Sequence, residues 1–154
     1  MDTYNMIDFN KKKGFICDMD GVIYHGNRVL PGVAEFIQWL HDEEKEYLFL
    51  TNNSGYTPRE LHQKLERMGL DVSEEHFYTS ALATAAFLRD QAPGCSVFAI
   101  GEAGLLNALY DAGITMNDVN PDYVVVGEGR SYSLDTLTKA TNLVWKGAKL
   151  IGAN

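Results

Sequence analysis

Apolar runs and amphipathic stretches alternate along this chain, and the alternation sets the expected elements. Gly14–Cys17 is a short apolar run that stops at Asp18, which predicts a buried strand. From Pro31 to Asp42 the apolar residues Val33, Phe36, Ile37 and Leu40 recur at helical spacing. Tyr47–Leu50 predicts a second strand, and Thr51-Asn52-Asn53-Ser54-Gly55 supplies turn chemistry after it. Thr57 and Pro58 suit the N-cap and first position of a helix that runs through Leu61, Leu65 and Met68 and stops at Gly69. His76–Tyr78 predicts a short third strand, and Ser80 is placed as the cap of an alanine-rich helix, Ala81–Asp90.

Pro93-Gly94 is a turn that marks a boundary, and a new series begins beyond it. Ser96–Ile100 predicts a strand, Gly101–Gly104 a turn and Leu105–Ala112 a helix. A second such unit follows: strand Tyr123–Val126, turn Gly127–Gly129 and a helix from Ser133 to Trp145. Lys149–Ile151 begins another strand close to the last residue, Asn154. Strands alternating with helices predict an α/β fold with a largely parallel sheet.

A length of 154 residues fits one ordinary domain. The net charge of −8 argues against a nucleic-acid polymer as partner, because a phosphate backbone calls for a basic patch. The one basic cluster, Lys11-Lys12-Lys13, reads as a solvated arm. No apolar run is long enough to cross a membrane, and no membrane partner is expected. Residues 1–9 are polar enough that no secretory leader is expected. Of the two cysteines, Cys17 reads as a small buried hydrophobe, and a reducing cytoplasm is the expected compartment.

The chemistry concentrates at two strand ends. Asp18 and Asp20 lie two apart where the first strand stops, so both can point into one small volume. A divalent cation would relieve their repulsion, and the pair suits a carboxylate nucleophile beside a general acid. After the second strand, the Thr51 hydroxyl and the amides of Asn52 and Asn53 can donate to a phosphate. In an open α/β sheet, ligands bind beyond the carboxyl ends of the strands, where both motifs fall. Other signals carry less. Gly127-Glu128-Gly129 and Gly101-Glu102-Ala103-Gly104 read as structural turns rather than dinucleotide fingerprints. The four histidines show no zinc spacing, though His25 is near enough to the proposed site to touch a substrate. Trp39 and Trp145 are read as core residues, and no serine sits in a hydrolase elbow.

The segments FICDMDGVIY and LFLTNNSG resemble the haloacid dehalogenase-like hydrolase superfamily, and VLPGVAEFI, FYTSALATAAFL and NPDYVVVGEGRSYSLDTLTKAT resemble its NagD-type phosphatase branch. The resemblance implies a Rossmann-like core, partial here, with a parallel sheet over residues 1–80, and the first part of an α/β cap domain over 81–154. It implies a Mg²⁺-dependent phosphomonoester hydrolase acting through an aspartyl-phosphate on small phosphorylated metabolites such as nucleotides or sugar phosphates. Asp18 would be the nucleophile and Asp20 the general acid and base. Mg²⁺ would sit on the Asp18 carboxylate and the Asp20 carbonyl, and Thr51, Asn52 and Asn53 would hold the phosphoryl oxygens. A flap element would fall in Gly21–Val29, and a subunit contact through the cap is implied. The family's third motif, a lysine, and its fourth, an acidic pair, have no match here. The chain therefore reads as a fragment of a longer phosphatase, with little activity expected of it alone. The alternative is a non-catalytic phosphate- and metal-binding or assembly module. A phospho-accepting signalling domain fits less well, given the Asp18-Met19-Asp20-Gly21 spacing and the cap-like continuation.

Overall fold

The computed structural model describes residues 8–154. Residues 1–7, part of the stretch read above as carrying no leader, lie outside the described residues. Along the chain, β1 (Gly14–Asp18) leads into a small hairpin of β2 (Tyr24–His25) and β3 (Arg28–Val29). Then come α1 (Val33–Asp42), β4 (Glu46–Thr51), α2 (Pro58–Arg67), β5 (Phe77–Thr79) and α3 (Ser80–Gln91). The second half contains β6 (Ser96–Ile100), α4 (Ala103–Asp111), β7 (Thr115–Met116), β8 (Tyr123–Val126), α5 (Leu134–Trp145) and β9 (Lys149–Gly152).

Two separate parallel sheets result, in the orders β1-β4-β5 and β7-β6-β8-β9. In the first sheet each crossover steps the same way across the strands. Right-handed connections then place α1 and α2 on one face. Tyr47, Phe49 and Phe77 turn to that face and join Ile37, Leu40, Leu61 and Leu65 in one core. In the second sheet the path reverses. From β6 it steps through α4 to β7 on one side, and from β8 through α5 to β9 on the other. The helices therefore lie on opposite faces. Val97 and Val125 pack with Leu105 and Leu109 of α4 and with Ala85 and Leu88 of α3. Phe98, Ile100 and Val124 pack with Ala140 and Leu143 of α5.

Local chemistry explains the best-defined boundaries. Thr57 and Glu60 form a reciprocal capping box at α2: Thr57 Oγ1 accepts from Glu60 N at 3.1 Å and Glu60 Oε2 from Thr57 N at 2.8 Å. The helix ends ahead of Gly69, whose φ of +83° only glycine adopts cheaply. Ser133 caps α5 by accepting from Thr136 N.

Some expectations need correction. Ser80 is not a cap but the first residue of α3. Thr79 has the extended backbone a cap requires, and its hydroxyl accepts from Leu82 N at 3.2 Å. Helix α4 starts at Ala103, two residues early, because the turn closes faster than its glycines suggest. The third strand is Phe77–Thr79, shifted one residue on by a short helical turn over Glu74–His76. Trp145 is 90% exposed rather than buried, since α5 offers the sheet Ala140 and Leu143 instead. Cys17 is only half-buried. The turn at Pro93-Gly94 marks no packing boundary, because α3 before it shares its core with β6 after it.

Candidate active site

Asp18 ends β1, and its register partner is Leu50, the residue before Thr51 on β4. The parallel pairing thus brings both strand ends, and both candidate motifs, to one edge of the sheet. Met19 is fully buried in the core beneath, while Asp18 and Asp20 on either side of it are exposed. The buried methionine anchors the turn, and its carbonyl accepts from the amides of Val22 and Ile23. Gly21 makes the bend possible with φ +80°.

Each candidate side chain has a defined setting. Asp18 Oδ1 accepts from Met19 N at 2.7 Å, which fixes the carboxylate and leaves its second oxygen facing out. Thr51 is buried, and its Oγ1 accepts from Asn53 N at 3.0 Å, so the hydroxyl proton is free to be donated outward. Asn53 Oδ1 accepts from Gly55 N and Tyr56 N, closing the turn. The Asn53 backbone amide is therefore engaged inside the loop, while Asn52 is exposed with its carbonyl held by Ser80 Oγ. Asp18, Thr51, Asn52, Thr79 and Ser80 line one open depression of about 450 Å³. Asp20 lies beside the hairpin, its backbone bridged to Tyr24 through Gly21 N and the Tyr24 carbonyl, and its carboxylate lies near the Tyr24 phenol.

Tyr24 belongs to this setting, although its place in the sequence gave no chemical signal. It is buried, and burial, with the Asp20 carboxylate beside it, pushes its phenol well above the ordinary range, so it stays protonated. The Lys64 ammonium sits 3.9 Å over its ring.

The Asp18 carboxylate and the Asp20 carbonyl, which accepts none of the described hydrogen bonds, are hard oxygen donors of the kind Mg²⁺ takes. Among the described residues no cluster of three acidic, histidine or cysteine side chains completes a shell around them. The residues present fit part of a Mg²⁺ site.

The second half meets this edge at its own ligand-type position. The path through the second sheet reverses between β6 and β8, and the crevice beyond their carboxyl ends is where such sheets bind ligands. Here the turn after β4 enters that crevice. Ser54, fully buried, accepts from Glu128 N at 2.7 Å, and Gly55 O accepts from Gly104 N at 2.9 Å. Beside the junction lies a cavity of about 360 Å³, lined in part by Asn53, Tyr56, Glu102, Glu128 and Arg130. Ser54 and Gly104 look like ordinary loop residues in sequence.

Parallel strands thus carry an Asp-x-Asp pair and a threonine turn at adjacent carboxyl ends. A haloacid dehalogenase-like hydrolase family model matches residues 15–115, and the chain belongs to that family. Within it the similarity is to the NagD-type branch. The chain is 45% identical over 142 residues to the ribonucleotide monophosphatase NagD of Escherichia coli K12, covering 92% of this chain and 56% of that protein. The solved NagD structure from the K-12 strain superposes with a TM-score of 0.86 over the same shares. The dihydroxyacetone phosphatase of Corynebacterium glutamicum (strain R) is 44% identical over 91% of this chain and 51% of its own length. The acid sugar phosphatase of Staphylococcus haemolyticus is 41% identical over 92% and 54%. The chain thus spans about half the length of the relatives it matches. No described helix is long and apolar enough to cross a membrane.

Proposed function

We propose that this chain supplies the nucleophile, the general acid and the phosphate loop of a phosphomonoester hydrolase acting on small phosphorylated metabolites, with residues 1–80 as core and 81–154 as part of a cap. The observation that carries the reading is the register of β1 against β4, which sets Asp18 beside the Thr51 turn. Relatives named for a ribonucleotide, a sugar or dihydroxyacetone phosphate as substrate support small phosphate esters as the substrate class. Two free cysteines accord with a reducing compartment, which we take to be the cytoplasm.

The free oxygen of Asp18 attacks phosphorus, a P–O bond forms to the carboxylate, and the bond to the leaving oxygen breaks. Asp20 gives that oxygen a proton. The Thr51 hydroxyl and the Asn52 amide donate to the phosphoryl oxygens as charge gathers there. Asp20 then takes a proton from water, which attacks phosphorus, frees Asp18 and releases inorganic phosphate. Mg²⁺, held by the Asp18 carboxylate and the Asp20 carbonyl, would supply charge balance for the transferring group.

The test is Mg²⁺-dependent hydrolysis of p-nitrophenyl phosphate by the protein that carries this sequence, with Asp18→Asn beside it. Loss of turnover in the variant is expected, and full turnover would remove the nucleophile assignment. The second reading is a module that binds phosphate and metal without turnover. Phosphate binding without any Asp18-dependent turnover would decide for it.

A further inference from the structure

We propose that Ser54 is a positioning residue: it pins the turn that shapes the Thr51–Asn53 phosphate loop into the crevice of the second sheet, so that the second half of the chain sets the loop's geometry. The functional half of this inference rests on the phosphohydrolase reading above.

The contacts converge from both sides. Helix α4 has no side-chain cap, since Glu102 at its N-cap makes no capping bond. Its early amide at Gly104 is satisfied instead by the Gly55 carbonyl of the other half. The first turn of α4 is thus capped by the loop's own backbone. The approach is close enough to dictate the residue. A Cβ on Gly104 would lie 2.5 Å from Tyr56 O and 2.6 Å from Ser54 O, both backbone atoms with no room to yield. Across the crevice, a Cβ on Gly127 would meet Ser54 Oγ at 2.9 Å. Ser54 Oγ fills the remaining gap and accepts from Glu128 N.

The same turn closes back on the phosphate loop. Gly55 N and Tyr56 N, the residues clamped by Gly104, donate to Asn53 Oδ1. Asn53 N in turn donates to Thr51 Oγ1. Hydrogen bonds joined through the covalent backbone of residues 53–56 therefore connect Glu128, just beyond β8, to the Thr51 hydroxyl. Removing the Ser54 hydroxyl leaves the Glu128 amide without this partner in a part-buried place and frees the turn. Thr51 would then present its proton from a range of positions rather than one.

The test has an arm that needs no turnover. Amide hydrogen exchange is followed residue by residue in the 154-residue chain and its Ser54→Ala variant, with Leu48–Leu50 of β4 as the internal reference. The expected result is exchange about tenfold faster at Asn53, Gly55 and Tyr56, with the β4 amides unchanged. No change at the turn, or an equal rise in β4, overturns the proposal. Gly104→Ala should give the same local pattern more strongly, and circular dichroism checks that both variants are folded. In the active protein, Ser54→Ala should raise KM for p-nitrophenyl phosphate and the inhibition constant of inorganic phosphate together, about tenfold, with kcat within about threefold. Faster loop exchange with both constants unchanged would also overturn it, by reducing Ser54 to a structural contact. If the unsubstituted protein hydrolyses nothing, the phosphohydrolase reading fails, and the exchange arm still decides whether the second half holds the loop.

Discussion

The two sheets of this chain are built from similar strands but differ in how they are covered. In the second, successive residues of β6 and β8 point to α3 and α4 on one side and to α5 on the other, so both faces of these two central strands are covered. In the first, α1 and α2 cover one face only. The opposite face carries Ile16, Leu50 and Tyr78, of which Ile16 is 72% exposed. Asp18 alternates with Ile16 along β1 and so belongs to this uncovered face. The half that carries the candidate chemistry leaves one face of its sheet uncovered, whereas the central strands of the other half are covered on both faces. The Ser54 junction joins them at the one edge where both sheets present strand ends.

The strongest challenge to this contrast is chemical. If the first sheet holds the reaction, Asp18→Asn in the active protein should lower kcat for p-nitrophenyl phosphate by at least about 10³-fold, with the melting temperature unchanged because the two side chains are nearly isosteric. Asp20→Asn should slow an alkyl phosphate more than p-nitrophenyl phosphate, whose leaving group needs no proton. Equal slowing of both esters would take the acid role away from Asp20.

A second challenge compares burial directly. Leu105 is wholly buried between α4 and the second sheet, and Leu105→Ala should destabilise by about 2–5 kcal/mol in urea unfolding. Ile16→Ala on the open face should change stability by less than about 1 kcal/mol. The same face should bind a hydrophobic dye, and Ile16→Lys should reduce that binding while Leu150→Lys, at an exposed position of β9, should not reduce it comparably. Equal costs for Leu105 and Ile16, or dye binding indifferent to Ile16, would mean that the two sheets are equally covered.

These contrasts show what could be read from the sequence and what could not. Helix α2 was fully legible because Thr57, Pro58, Glu60 and Gly69 act within a few residues of one another. So was the placement of Asp18 and Thr51, since strand ends followed by Asp or Thr-Asn are local patterns. The face on which an apolar strand is covered is not local. Ile16 and Cys17 are both apolar and only tertiary packing separates them. The strands β2, β3 and β7 have two residues each, too short for any periodicity to register. Ser54 was hidden for another reason. Its role comes from an amide 74 residues away, and a serine in a turn already has a sufficient local explanation. Trp145 misled because helical spacing says which residues share a face, not which face is buried.

The smallest expected effects lie at the two extremes of pH, one in each half. In the first half Tyr47 is buried against His76, at 3.8 Å between ring centres, with its hydroxyl 2.9 Å from His41 Nε2. Burial, with the carboxylates of Asp71 and Glu75 nearby, pushes its pKa up to about 12. The unfolded chain loses this proton first, near pH 10, so the stabilising preference for the neutral phenol is complete below pH 10 and is lost as pH rises toward about 12. In the second half the Lys139 ammonium bonds Asp118 and holds its carboxyl below the usual range. That contribution is present above the ordinary carboxylate pKa and is lost as pH falls through the lowered one. Both groups of this second pair are well exposed, so the acid-side effect should be the weaker and should fade with added salt. Chemical unfolding followed across pH in Tyr47→Phe and Asp118→Asn tests the assignment. The first substitution should reduce the slope of the alkaline limb alone, leaving the share of the buried Tyr24 phenol, and the second the slope of the acid limb alone. An alkaline limb unchanged by Tyr47→Phe would place the titrating group elsewhere, in Tyr24, the other buried phenol held protonated by its surroundings.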